Sequence, residues 1–343
     1  MKNGKTHIHI QNSRSSVDVF SANRQQADDL LDRNPDLREK LEITIGSSAV
    51  DPVGQWTKED LDEYYGHMAT ADILVGYSFP GKDIKKYAPY LRWIHFISSG
   101  VEHMTPFDWV PEGLQLVNNR GVHLPKSGES FAMFLYMLNS AMPRLYTAQR
   151  NRKWDRAFTS VIKGKKLVIL GVGHQGGEMA RMAKEMGLYV TGIHPTRKEH
   201  PYCDRMIANS QMREAFADAD FLAIAAPLTD KTRGIIGGEQ MGWLPERAGI
   251  INISRGPLID EDALVKKLRE GKLSGAILDV FNTEPLPADS PLWDTPNLVI
   301  TPHVSSDDVD NYMPLTLDLT IRNLRHEMAG EPFENLVNTE KGF

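Results

Sequence analysis

Two successive series of short apolar runs, each run separated from the next by helical or loop sequence, constrain this chain more than any other feature. "HIHI" (7–10), "LEITI" (41–45), "DILVG" (72–76), "WIHFI" (93–97) and "LQLVN" (114–118) form the first series. "KKLVILG" (165–171), "LYVTGI", "DFLAIAA", "AGIINIS", "SGAILDV" and "NLVIT" form the second. Runs that are apolar at nearly every residue belong to strands buried on both faces, and strands joined through helices run parallel. The expected fold class is therefore α/β: two doubly wound parallel-sheet domains with a cleft between them. Helices are expected over 23–40, 57–68 and 81–88, and again after His303. Between the series, apolar residues at 131, 134, 135 and 138 share one helical face and predict a long helix bridging the two domains.

Composition narrows the function. Lys+Arg 39 against Asp+Glu 45, a formal net charge of -6, offers no basic excess to neutralise a phosphate backbone, so nucleic acid is excluded as the expected partner. The N-terminus "MKNGKTHIHIQNSR" has no apolar core of a signal peptide, and "FAMFLYML" at 131–138 is far short of a membrane span. The single cysteine, Cys203, cannot form an intramolecular disulfide. These features lead us to expect a cytoplasmic protein with no membrane partner and no bound metal.

In "LVILGVGHQG", Gly171, Gly173 and Gly176 make G-x-G-x-x-G directly after a buried-type strand and directly before a helix. The first glycine permits the tight turn, the second lets the backbone approach a pyrophosphate, and the third lets helix and strand pack closely. Such a loop predicts a Rossmann-like dinucleotide site. His174 and Gln175 fill the variable positions; they read best as exposed turn residues, although the loop places them among the candidate cofactor contacts.

At the end of the following strand stands "IHPTRK" (193–198), with His194 where an Asp or Glu ordinarily accepts hydrogen bonds from the ribose of NAD. No acid stands there to repel a 2′-phosphate. Thr196 can offer a hydroxyl and Arg197 a guanidinium, so the expected cofactor is NADP(H) in preference to NAD(H), with Arg197 as chief selector.

Three segments turn binding into reaction: "FISSGVEHM" (96–104), "NISRGPLIDEDAL" (252–264) and "GAILDVFNTEPLPADSPLWDTPNLVITPH" (275–303). With them the chain resembles the D-isomer-specific 2-hydroxyacid dehydrogenase family, in order from about Ser98 to about Ser305; the N-terminal part resembles it only in layout. The resemblance implies a catalytic trio of Arg255, Glu284 and His303. Their chemistry suits a 2-keto acid, whose anion needs a cation to hold it and whose carbonyl oxygen needs an acid when hydride reaches the carbon. Taken singly, an Arg at a strand end or a Glu before proline is usually a solvated loop residue; the ordered set is the argument.

By the same resemblance, Ser99, Gly100 and Val101 hold the substrate carboxylate, with Tyr77 lining the site or merely packing. Ala226, Pro227, Thr232, Ile253, Ser254 and Ser305 border the cofactor. Asp279 lies near the nicotinamide carboxamide or, alternatively, caps the loop that follows it. Glu284 separates the chain from the formate dehydrogenase branch, which carries Gln there, while Asp307 and Asp308 make the stretch after His303 more acidic than the family pattern. The implied function is reversible hydride transfer between NAD(P)H and a small 2-keto acid or D-2-hydroxy acid, by a homodimer using the 125–147 helix. The cofactor domain is expected at 122–303 and the substrate domain at 1–121 with 304–343. The rival is a dinucleotide-sensing corepressor, which shares fold and trio.

Overall fold

A computed structural model describes residues 4–13, 18–49 and 56–339. The domain limits at 1 and 343 fall outside them. The chain divides into two compact units, Met1–His123 with Asp307–Phe343, and Leu124–Ser306.

In the first unit β1 (Thr6–Ser13), β2 (Leu41–Ala49), β3 (Ile73–Gly76), β4 (Trp93–Phe96) and β5 (Gln115–Val117) form a sheet of order β2-β1-β3-β4-β5. Every pair is parallel, in a register that sets Ile8 beside both Ile43 and Ile73. Alternation within the strands feeds two layers: Ile73, Val75 and Trp93 enter one core, and Leu74, Ile94 and Phe96 the other. Each such fully buried aliphatic or aromatic side chain contributes about 1.5–3 kcal/mol. Around the sheet lie α1 (Arg24–Arg33), α2 (Lys58–Met68) and α3 (Ile84–Tyr87). The helix expected over 23–40 ends at Arg33, because Pro35 restricts Asn34 and cannot donate within a helix. The one expected over 81–88 shrinks to a single turn between left-handed Asp83 and Ala88, which precedes Pro89.

The second unit opens with α4 (Leu124–Asn139), which buries Phe131, Phe134, Leu135 and Leu138 as its pattern requires. The expected single helix is broken: Ala141 is left-handed at φ 54°, and Pro143 stands in the first turn of α5 (Met142–Arg150). Then follow β6 (Lys166–Leu170), α6 (His174–Glu185), β7 (Tyr189–Ile193), β8 (Arg205–Ile207), α7 (Met212–Phe216) and β9 (Phe221–Ile224). α8 (Gly238–Met241), β10 (Gly249–Asn252), α9 (Glu261–Arg269), β11 (Gly275–Leu278) and β12 (Leu298–Ile300) complete the unit. All seven strands are parallel, in the order β12-β11-β10-β9-β6-β7-β8. Sequence reading missed β8, a three-residue edge strand paired with β7 alone. The order reverses between β6 and β9, and the crevice beyond the carboxyl ends of strands at such a switch point is where open α/β sheets bind ligands. The last helix, α10 (Tyr312–Ala329), belongs to the first unit and packs Met313, Leu317, Ile321 and Leu324 into one of its cores. The acidic departure before it has a local purpose: Asp308 accepts from the backbone N–H of Asp310 and Asn311 and so starts α10. Among the described residues no helix is long and apolar enough to cross a membrane.

Candidate active site

The glycine loop joins β6 to α6 at the switch point. Gly171 has φ 93°, and a Cβ there would lie 2.6 Å from the Ala226 backbone. At Gly176 a Cβ would reach 1.9 Å from the Gly171 carbonyl oxygen, so only glycine lets α6 pack this close to the strand. Gly173 differs: a Cβ built there meets no atom of the chain within 4 Å, which leaves open the space a pyrophosphate needs. α6 begins at His174 without a side-chain cap, so its first-turn N–H groups face the same side as the loop and suit an anion. A dinucleotide fits this cradle. Gln175 is not the exposed turn residue expected. It is half-buried in the first turn of α6, and its Nε2 donates to the Ile253 carbonyl at 3.1 Å and to Ser127 Oγ at 3.4 Å; His174 is exposed.

Beyond β7 the chain turns sharply. His194 Nδ1 accepts from Thr196 N at 3.2 Å and Arg197 N at 2.9 Å. The Arg197 guanidinium reaches back across the loop, Nη1 donating to the Val172 carbonyl at 3.0 Å. Residues 195–199 are exposed, Arg197 among them, but its guanidinium end is tied to the glycine loop by that bond. Burial, then the Arg197 charge, lowers the pKa of both His194 and His200; the His200 ring covers Gly177 of α6. His200 escaped the sequence reading because nothing in "KEHPY" marks it. Burial pushes the nearby Cys203 thiol up to about 11, so it stays protonated.

Side-chain bonds lace the neighbouring strand ends together. Ser254 Oγ donates to the Ala226 carbonyl at 2.7 Å, and Ser254 and Ala226 are buried with Ile253. Thr232 Oγ1 closes its loop onto the Pro227 carbonyl at 2.7 Å and accepts from Thr229 N at 2.8 Å.

The trio comes together on the loops after β10, β11 and β12. Arg255 follows Ser254 in extended conformation, its Nη1 donating to the Ser254 carbonyl at 2.8 Å, and Asn252 Nδ2 fixes the Arg255 carbonyl at 2.9 Å. Gly256 is required next, since a Cβ would lie 2.0 Å from the Phe281 carbonyl carbon. Glu284 accepts from Phe281 N at 2.8 Å through one oxygen, and its other oxygen lies 2.7 Å from His303 Nδ1. The hydrogen bond His303 donates to Glu284 raises the His303 pKa above its ordinary value, overcoming burial, which lowers it. Burial works against Glu284 ionisation, yet hydrogen bonds from His303 and the Phe281 amide, with the His303 and Arg255 charges, hold its pKa below the ordinary value. Each group thus favours the charged form of the other.

His303 is held in the left-handed region, φ 56°, with its side chain half exposed. Asp279 explains how. Only 2 % exposed, it accepts from Thr301 Oγ1 (2.6 Å), Val304 N (3.1 Å), Ser305 N (3.2 Å) and Ser305 Oγ (2.6 Å). Its geometry is that of a loop clamp, on 301–305 rather than on the loop that follows it, and Ser305 is its partner. Glu261, at the start of α9, similarly pins Asn282 N at 2.7 Å, beside Glu284. Sequence reading missed Glu261, Phe281 and Thr301, whose contributions lie in contacts between loops far apart in sequence.

In the first unit, the carbonyls of Ile97, Ser98, Ser99 and Gly100 each accept a hydrogen bond, from Asn119 Nδ2, Asn119 N, Asn118 Nδ2 and Ser98 Oγ respectively. The Val101 side chain is buried in the core. Tyr77, 38 % exposed, stacks on His103 at 4.1 Å between ring centroids, and His103 Nε2 donates to the Tyr77 carbonyl at 2.7 Å. Among the described residues no group of three or more His, Cys, Asp or Glu side chains is placed to hold a metal.

The model of the D-isomer specific 2-hydroxyacid dehydrogenase NAD binding domain matches residues 132–305. The chain is 32% identical over 283 residues to glyoxylate/hydroxypyruvate reductase B of Pectobacterium carotovorum, covering 80% of this chain and 87% of that one. It is 31% identical over 267 residues to glyoxylate reductase of Korarchaeum cryptofilum, covering 75% and 79%. A D-isomer specific 2-hydroxyacid dehydrogenase from Xanthobacter autotrophicus, solved with NADPH and MES, superposes with a TM-score of 0.79 at 23% identity over 98% of this chain and 100% of that one, which shows the shared fold. The chain therefore belongs to the D-isomer specific 2-hydroxyacid dehydrogenase family of NAD(P)-dependent oxidoreductases.

Proposed function

We propose that this protein is an NADPH-preferring reductase of small 2-keto acids of the glyoxylate and hydroxypyruvate class, with residues 122–303 holding the cofactor and 1–121 with 304–343 holding the substrate. The observation that carries the reading is the 2.7 Å contact between His303 and Glu284. With Nδ1–H committed to Glu284, the exchangeable proton sits on Nε2. A nicotinamide cofactor held by the glycine loop would supply hydride for the keto carbon. His303 gives its Nε2 proton to the carbonyl oxygen as negative charge develops there, leaving a neutral imidazole that solvent reprotonates. Glu284 keeps the imidazolium favourable before transfer and fixes the ring plane. Arg255 donates charge-assisted hydrogen bonds to the keto acid, and the backbone of Ser99, Gly100 and Val101 takes its carboxylate. Tyr77, on its stacked partner His103, walls the substrate side chain.

Cofactor choice rests on Arg197 at the Val172 carbonyl and on the absence of a carboxylate at position 194. Relatives' names support the substrate class: two are a glyoxylate/hydroxypyruvate reductase and a glyoxylate reductase. The exposed Met133, Tyr136, Trp154, Phe158 and Val161, all between α4 and β6 or on α4, support a homodimer through this part of the second unit. A cytoplasmic location fits a chain whose single cysteine, Cys203, is in no disulfide. The test is a panel of glyoxylate, hydroxypyruvate and pyruvate against NADPH and NADH. NADPH oxidation with glyoxylate or hydroxypyruvate is expected, whereas tight cofactor binding without turnover of any keto acid would support the corepressor-like reading instead.

A further inference from the structure

We infer that His194 is the positioning residue for Arg197: its neutral imidazole builds the turn that carries the guanidinium to the Val172 carbonyl. The inference rests on the reading that NADPH is the preferred cofactor and says how the chain achieves that preference.

The turn begins where β7 ends. His194 N is held by the Ile207 carbonyl at 3.0 Å, continuing the β7–β8 pairing by one residue, so the backbone that carries the ring is fixed by the sheet. Pro195 follows, with no N–H of its own and φ preset for the first corner of a turn. The next two N–H groups, of Thr196 and Arg197, both point at His194 Nδ1, at 3.2 and 2.9 Å. An imidazole nitrogen accepts only when it carries no proton, so this geometry requires the tautomer with hydrogen on Nε2 and is lost on protonation. Burial and the adjacent Arg197 charge both favour the neutral ring.

This is the pattern in which an Asp or Asn side chain accepts from the backbone two and three residues on. Nδ1 of His and Oδ1 of Asp or Asn occupy the same place, one bond beyond Cγ. An Asp at position 194 would build the same turn, but its charge would repel a 2′-phosphate. A histidine held neutral does the structural work of the acid without the charge, and the turn it builds precedes the guanidinium that reaches the Val172 carbonyl of the glycine loop. His194 therefore decides cofactor preference through Arg197 without itself having to touch the nucleotide.

The experiment measures equilibrium dissociation constants of NADPH and NADH, by nucleotide fluorescence, for the full chain and for His194→Ala, His194→Asn, His194→Asp and Arg197→Ala. His194→Ala is expected to weaken NADPH by about 3–10-fold, the size of a lost cap, with a smaller change for NADH. His194→Asn is expected to restore NADPH affinity to within about twofold, because its Oδ1 can accept both N–H groups. His194→Asp should keep the turn and move the preference towards NADH. NADPH affinity unchanged in His194→Ala, or as weak in His194→Asn as in His194→Ala, would overturn the inference. If Arg197→Ala lowers the NADPH preference while His194→Ala does not, the cofactor reading stands and the role of His194 falls. If Arg197→Ala leaves the preference unmoved, both fall.

Discussion

Two histidines of the second unit use the same ring nitrogen in opposite senses. His303 Nδ1 donates to the Glu284 carboxylate, and its pKa rises; His194 Nδ1 accepts from two backbone N–H groups beside Arg197, and its pKa falls. A carboxylate partner favours the protonated imidazole, whereas burial and then a neighbouring guanidinium favour the neutral ring, which is left free to accept from backbone N–H groups. The same ring nitrogen donates in one place and accepts in the other, and the neighbours decide which.

The comparison breaks most visibly at His303. His303→Ala should lower kcat for keto-acid reduction by about 10²–10⁴-fold with the NADPH dissociation constant nearly unchanged. Retention of most of kcat would remove His303 from the proton transfer.

At the other end the expected effect is smaller and falls on binding. Arg197→Ala should cut the ratio of kcat/KM for NADPH over NADH by roughly 10–100-fold, the worth of a charge-assisted hydrogen bond to the 2′-phosphate. An unchanged ratio, or a wild type that prefers NADH, would contradict the assignment.

The clamp between them can be probed separately. Asp279→Asn keeps the shape but removes the charge from a buried acceptor of four hydrogen bonds, and an amide nitrogen cannot accept. A fall of about tenfold in kcat is expected, together with a lower melting temperature, because the 301–305 loop that presents His303 loses about 1.5–3 kcal/mol of charge-assisted bonding. Full activity with an unaltered melting temperature would show that the loop holds without it.

Much of this was legible in the sequence because it depends on local pattern. Runs of buried-type residues marked eleven of the strands that form the two sheets, and the glycine spacing marked the cradle. Arg255, Glu284 and His303 were legible as a set because family motifs mark loops at the ends of successive strands. What stayed hidden depends on contacts between residues distant in sequence or on backbone breaks. The α4–α5 break turns on the left-handed Ala141, β8 is only three residues long, and Asp279 acts on residues 22 to 26 positions away. His194 was readable as the place of a missing acid, but not as an acceptor, since that depends on how the next two peptide groups turn.

The central claim, that Glu284 tunes His303 as the proton donor, is tested most directly by the pH dependence of kcat/KM for reduction in the wild type and Glu284→Gln. Reduction needs protonated His303, so activity should hold at low pH and fall as pH rises through the His303 pKa, which Glu284 raises above the ordinary 6.5. Replacing the carboxylate by a neutral amide removes that support, and the falling limb should move to lower pH, while oxidation of the hydroxy acid, which needs the neutral ring, should gain at lower pH in the same variant. A limb in the same place in both proteins would contradict the account.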